Sequence, residues 1–210
     1  MLRNRIARLG VAVATAALMV PALASTATAA PAYPKVPSVA AVAKVYPHFA
    51  GGTVYASKID KVYGPGKKCN QSKRIKGAVG NSASYLTADS ASPTGATPGY
   101  TVIAYRLPSV AKAKALITTS GKRAKTCPGG GTVVPGIKST KVKKLKVKLG
   151  DSSQGYTVTV KTNSGKYISN TFLVRKGKVI VTVLVSSMDG KTPALKKSVK
   201  AAKLALKTAS

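Results

Sequence analysis

Residues 144–185 read KLKVKLGDSSQGYTVTVKTNSGKYISNTFLVRKGKVIVTVLV, and their alternation decides the fold. Leu145, Val147 and Leu149 interleave with Lys144, Lys146 and Lys148, the period-two pattern of a half-buried strand. Gly150-Asp151 and Gly155 are expected to turn the chain, and Tyr156, Val158 and Val160 alternate with threonines in a second strand. Asn163-Ser164-Gly165 reads as a hairpin turn into a third strand over 167–175. Lys176-Gly177 turns the chain again into a fourth strand, 179–185, which is apolar on both faces and should therefore be central and covered on both sides. Connections this short force neighbouring strands to run antiparallel, which makes the segment a four-strand meander.

Upstream of the meander the signals are shorter. Ser38 can cap a short helix ended by Pro47. Gly64-Pro65-Gly66 reads as a sharp turn, and 78–86 and 100–106 read as strands around a Pro/Gly/Ser/Thr loop at 90–99. Ser109 caps a helix on which Ala113, Leu116, Ile117, Ser120, Ala124 and Cys127 share one face, stopped by Pro128 and Gly129 to Gly131. Thr192 and Pro193 are expected to open a last helix, with Leu195, Val199, Ala202 and Leu206 inward and Lys196, Lys197, Lys200, Lys203 and Lys207 outward. Strands in series covered by a middle and a C-terminal helix give an α+β layer fold.

The first residues follow a different grammar. Arg3, Arg5 and Arg8 precede an apolar run from Val11 to Ala24 and a small-residue stretch ending in Ala29-Ala30. This is the pattern of a cleaved secretory signal over 1–29, with cleavage between Ala29 and Ala30. The apolar run falls short of the roughly 20 residues a membrane span needs. Residues 30–37, with Pro31, Pro34 and Pro37, read as an extended linker into one domain over 38–210. No transmembrane segment is expected in the mature chain.

Charge is the strongest compositional feature. The chain carries 35 Lys and Arg against 4 acidic residues, for a formal charge of +31; loss of Arg3, Arg5 and Arg8 leaves +28. A field of that sign attracts polyanions. Lys144, Lys146, Lys148, Lys196, Lys200 and Lys203 are the candidate contacts for an anionic envelope polymer. Specific nucleic-acid recognition is not expected, because arginine is scarce and the basic strand lacks aromatic residues for base stacking. Lysines on an exposed strand also protect a sheet edge.

The inventory for catalysis is poor. One histidine, His48, and four aspartates, Asp60, Asp89, Asp151 and Asp189, are all it offers for acid–base work. Ser109-Val110-Ala111-Lys112 matches S-x-x-K, but the companion motifs are absent and Ser109 reads as a helix cap. No catalytic residue, cofactor or metal ligand set is expected. Cys69 and Cys127 are the only cysteines, and in an exported chain they are expected to pair.

The order of elements carries a family resemblance. An alanine-rich helix ends in Cys127; then come Leu149-Gly150-Asp151-Ser152, Phe172-Leu173-Val174-Arg175, Lys176-Gly177-Lys178, Val179-Ile180-Val181 and an alanine/leucine helix. Over 100–209 this resembles an actinobacterial sensor-domain family similar to the extracellular domain of PknH-type serine/threonine kinases. The resemblance implies an antiparallel sheet, a cleft, and ligand sensing without catalysis. Members often carry four cysteines where this chain has two. The expectation is a secreted, monomeric, sensor-like binding domain for an unknown small ligand; the alternative is a cationic envelope protein that holds anionic polymers.

Overall fold

The segment Val179–Ser187 is buried along nearly its whole length, as an unbroken Val/Ile run must be if both faces of its sheet are covered. In the computed structural model, which describes residues 32–66, 70–88, 99–127, 137–163, 165–187 and 189–210, it is the middle strand of the main sheet. The elements in chain order are α1 (Val39–Ala43), a 3-10 turn at Pro47–Phe49, β1 (Thr53–Ile59), β2 (Tyr63–Pro65), β3 (Gln71–Arg74), β4 (Val79–Leu86), β5 (Gly99–Arg106), α2 (Val110–Thr126), β6 (Ile137–Leu145), β7 (Ser152–Thr162), β8 (Lys166–Lys176), β9 (Val179–Ser187) and α3 (Leu195–Ala209). Among the described residues, seven strands form one sheet in the order β1-β4-β5-β9-β8-β7-β6, and β2 and β3 form a separate hairpin. Every pairing in the main sheet is antiparallel. The α+β architecture, the C-terminal meander and the two covering helices stand as the sequence predicts. The lysine-rich strand β6 is an outer edge.

The two faces of the sheet are filled differently. Val181, Val183 and Val185 of β9, Phe172 and Val174 of β8, and Tyr100 and Val102 of β5 pack beneath α3. The helix meets them with Ala201, Ala202 and Ala205, and these short side chains let it lie close. Tyr46, Phe49, Tyr85 and Tyr100 extend this core as an aromatic cluster, with Tyr85 and Tyr100 4.9 Å apart. The opposite face carries a smaller core in which Ala113 and Ile117 of α2 meet Ile180, Leu107 and Val62. That core covers one end of the sheet and leaves the other end open.

Several details depart from the sequence reading. The ladder of the first meander strand ends at Leu145 instead of running through Leu149, because the Ser153 side chain takes over: its Oγ accepts from Leu149 N (3.0 Å) and donates to Val147 O (3.0 Å). Lys144, Lys146 and Lys148 nevertheless stay exposed. Gly155 does not turn the chain. It lies within β7, where a Cβ would stand 3.0 Å from Val147 and 3.2 Å from Leu145. Gly64 and Pro65 belong to β2, and the hairpin is closed by Gly66 N donating to Asn70 O (2.7 Å).

The last helix starts at Leu195, not at Thr192-Pro193, since Pro193 O is held by Asn170 Nδ2 (2.8 Å) and Ala194 is the cap. Of the expected inward stripe, Ala202 and Leu206 are buried, Val199 is half-buried and Leu195 is exposed; Ser198, Ala201, Ala205 and Ala209 complete the buried side. Residues 32–37 run extended but are packed down: Pro34 and Pro37 are buried, Tyr85 donates to Pro37 O (2.6 Å) and Arg106 Nε to Ala32 O (3.1 Å). Prolines specify an extended path, and their apolar rings also favour docking. The signal segment 1–29, its cleavage point at Ala29 and Ala30, Cys69, Asp89 and most of the loop at 90–99 lie outside the described residues.

Candidate functional site

The open part of the α2 face is a cleft of about 960 Å³, near the upper end of the ~300–1,000 Å³ typical of small-molecule sites. Its floor is the sheet: Ile103 of β5, Leu184 of β9, Leu173 of β8, and Val158 and Val160 of β7. One wall is the C-terminal half of α2, which presents Ser120, Arg123, Ala124 and Cys127. Those four recur at helical three- and four-residue steps and so share a face. The β2–β3 hairpin forms another wall through Tyr63 and Pro65.

The helix is held over the sheet from below. Gln154 Nε2 donates to Ile117 O (3.0 Å), and the Tyr156 hydroxyl lies 3.1 Å from Gly121 O and 2.5 Å from Gln154 Oε1. The Ile117 carbonyl thus gains a bond from Gln154, and the single hydroxyl proton of Tyr156 is shared between the Gly121 carbonyl and Gln154 Oε1. Burial pushes the Tyr156 phenol above its ordinary value, so it remains a neutral donor.

The polar groups of the cleft differ from those elsewhere in the fold. On the α3 face, Tyr46, Tyr85 and Tyr100 place their hydroxyls on Ser198 Oγ, Pro37 O and Ala201 O. In the cleft, the hydroxyls of Tyr63, Tyr105 and Tyr167 have no hydrogen-bond partner among the described residues. Tyr105 is pushed above its ordinary pKa by burial and offers a neutral hydroxyl. No Asp, Glu or His is among the described residues that border the cleft.

The residues weighed for catalysis sit in structural roles. Ser109 caps α2, its Oγ accepting from Lys112 N (3.2 Å). His48 packs between Phe49 and Tyr46, at 4.4 and 5.7 Å between ring centroids. Asp60 accepts from the Tyr33 hydroxyl. Asp189 accepts from Ser187 and from Lys191 N, and the Ser187 bond is the main cause of its lowered pKa. Asp151 accepts from Gly177 N (2.8 Å) and pairs with Arg175 (2.9 Å), which ties the β8–β9 turn to the start of β7. Its pKa is lowered, first by the Gly177 bond and also by the Arg175 charge.

Lys144, Lys146 and Lys148 follow the edge of the sheet, and Lys196, Lys200 and Lys203 line the outer side of α3; all six are exposed and none borders the cleft. Cys127 is not a free thiol, and Cys69, its expected partner, lies outside the described residues. No group of described His, Cys, Asp or Glu residues could hold a metal ion, and no described helix is long and apolar enough to cross a membrane. The sequence reading placed Ser120, Ala124 and Cys127 on the inner helix face but did not single out Arg123, whose three-residue step from Ser120 was the available signal.

Solved structures similar in fold include two from mycobacteria. The extracellular domain of PknH from Mycobacterium tuberculosis matches at 12% identity and a TM-score of 0.46, covering 82% of this chain and 92% of that one. An uncharacterised Mycobacterium smegmatis protein, the Rv0999 ortholog, matches at 13% identity and 0.41, covering 85% and 99%. The family expected from the sequence is thus represented among the structural matches. No family model and no curated protein matches the chain.

Proposed function

We propose that this protein is a secreted, non-catalytic, sensor-like domain that binds a small ligand in the cleft under α2. The observation that carries this reading is the pairing of a mostly apolar floor with three tyrosine hydroxyls that have no hydrogen-bond partner among the described residues. A few convergent polar groups above apolar side chains are what a binding site needs to orient a ligand. The lack of a catalytic role is supported by Ser109, His48, Asp151 and Asp189, whose side chains cap, pack or tie turns away from the cleft. Secretion is supported by the signal-like segment 1–29.

Nile red, an uncharged solvatochromic dye, tests the cleft directly. Wild type should bind it saturably with a blue-shifted emission, and Thr182→Trp or Val158→Phe should abolish binding while the circular dichroism spectrum is retained. Unchanged dye binding in both folded variants would overturn the reading. A second reading, adhesion to anionic envelope polymers, is favoured by the exposure of all six candidate lysines.

A further inference from the structure

Resting on the cleft reading above, we infer that the ligand is an amphiphile: an apolar body that lies on the sheet, and a single anionic head held by Arg123.

The case begins with how this chain uses arginine. Only four arginines follow residue 30, against lysine at nearly every other cationic position. Three of them are committed to the fold. Arg74 Nη2 donates to Asp60 O (3.0 Å), Arg106 Nε to Ala32 O (3.1 Å), and Arg175 bonds Asp151, Ser152 and Gly177. Arg123 is the exception. Its guanidinium has no partner among the described residues, and it stands on the cleft wall of α2 between Ser120 and Cys127. Guanidinium is the cation suited to forked recognition of carboxylate or phosphate, and lysine is a poor substitute for that geometry.

Charge in the cleft is one-sided. No carboxylate is among the described residues that border it, so a cationic head would meet Arg123 with no compensating anion from them. Arg123 and Lys166 are the cations among the described residues that border the cleft; of the two, only the guanidinium offers the forked donor set that a carboxylate or phosphate head matches. The rest of the sheet surface facing the ligand is mostly apolar, with Ile103, Val158, Val160, Leu173 and Leu184 interspersed with the hydroxyls of Ser169, Thr171 and Thr182. A small polar anion would leave that floor wet and gain nothing from it; an apolar body covers it and gains by burial. Tyr105 supplies a neutral hydroxyl within the same cleft.

Calorimetric titration of the mature protein with dodecanoate, dodecyl phosphate and dodecanol, each below its micelle concentration and near physiological ionic strength, tests this. Dodecanoate and dodecyl phosphate should bind saturably and more tightly than dodecanol. Arg123→Gln should weaken both anions by about tenfold or more, the scale of a charged hydrogen bond, and leave dodecanol unchanged, while Arg123→Lys should recover part of the loss. If dodecanol binds as tightly as dodecanoate, or if Arg123→Gln has no effect on the anions, the anionic head is wrong and the cleft reading survives. If none of the three binds, both are wrong. If Lys144→Gln/Lys146→Gln/Lys148→Gln abolishes dodecanoate binding and Arg123→Gln does not, surface charge is responsible and the inference is overturned. Binding only to phosphatidylglycerol vesicles, with no uptake of the monomeric amphiphiles, would likewise overturn it.

Discussion

Gln154 and Gly121 meet so closely that a Cβ added to Gly121 would stand 1.5 Å from Gln154 Oε1. The Gln154 amide fills the space under the helix and bonds the Ile117 carbonyl one turn earlier. A glycine inside a helix costs about 1 kcal/mol relative to alanine, and here the missing Cβ lets β7 anchor α2.

This contact makes a sign-changing prediction. Gly121→Ala expels the Gln154 amide from its bonds, and the loss should outweigh the gain in helix propensity, for a net destabilisation of about 1 kcal/mol. In a Gln154→Ala background the same substitution should stabilise by a similar amount. Urea unfolding of the four proteins measures the coupling; equal effects in both backgrounds would refute the close-contact account.

The cysteine pair gives a second prediction. A Cys69–Cys127 bridge closes a loop of about 60 residues, and the chain-entropy estimate for that length is about 4 kcal/mol. Thiol titration of the denatured, unreduced protein should find no free thiol. Cys127→Ser should lower stability by up to that amount, and two titratable thiols in the unreduced protein would contradict the bridge.

Alkaline pH provides a third. Burial pushes the Tyr85 and Tyr100 phenols far above their ordinary value of 10.0. Their folded-state pKa values are raised, so the stability that depends on the neutral phenols is complete below pH 10 and falls as pH rises beyond it. Each should contribute a slope of about 1.4 kcal/mol per pH unit above that point. Urea midpoints followed by circular dichroism should be nearly flat from pH 8 to about 9.5 as far as these groups are concerned, then drop. Tyr85→Phe should make the drop shallower; an unchanged slope would show that Tyr85 ionises as readily folded as unfolded.

The lysine surfaces can be separated from the cleft by salt. Binding of wild type to teichoic-acid-like polymers should weaken with ionic strength as counterion release requires. Replacing Lys144, Lys146 and Lys148 with Gln should flatten that dependence without loss of fold, since all three are exposed. Nile red binding should be the same in both proteins.

Much of the fold is legible because its patterning is strong where burial is one-sided. The meander could be read from Lys144 to Val185, and the Val/Ile run of β9 identified the central strand. Strands β1–β3 were not legible: Thr53–Ile59 is exposed at most positions, and Gln71–Arg74 at all four, so neither shows a hydrophobic period. The start of α3 was misplaced because Thr192-Pro193 has the local grammar of a helix opening, while a tertiary bond from Asn170 claims the Pro193 carbonyl. The cleft itself was legible only as an implication of family resemblance. Its residues come from five strands, a helix and a hairpin, and no local spacing records their meeting.

The most direct measurement is a two-dimensional amide NMR titration of the isotope-labelled protein with dodecanoate near physiological ionic strength. The predicted result is a set of saturable shifts confined to the cleft, at Ile103 and Tyr105 of β5, Ser120 to Ala124 of α2, Val158 of β7 and Thr182 of β9, and reduced by Arg123→Gln. Shifts concentrated instead along Lys144 to Lys148 and the outer side of α3, with the cleft residues unmoved, would contradict it.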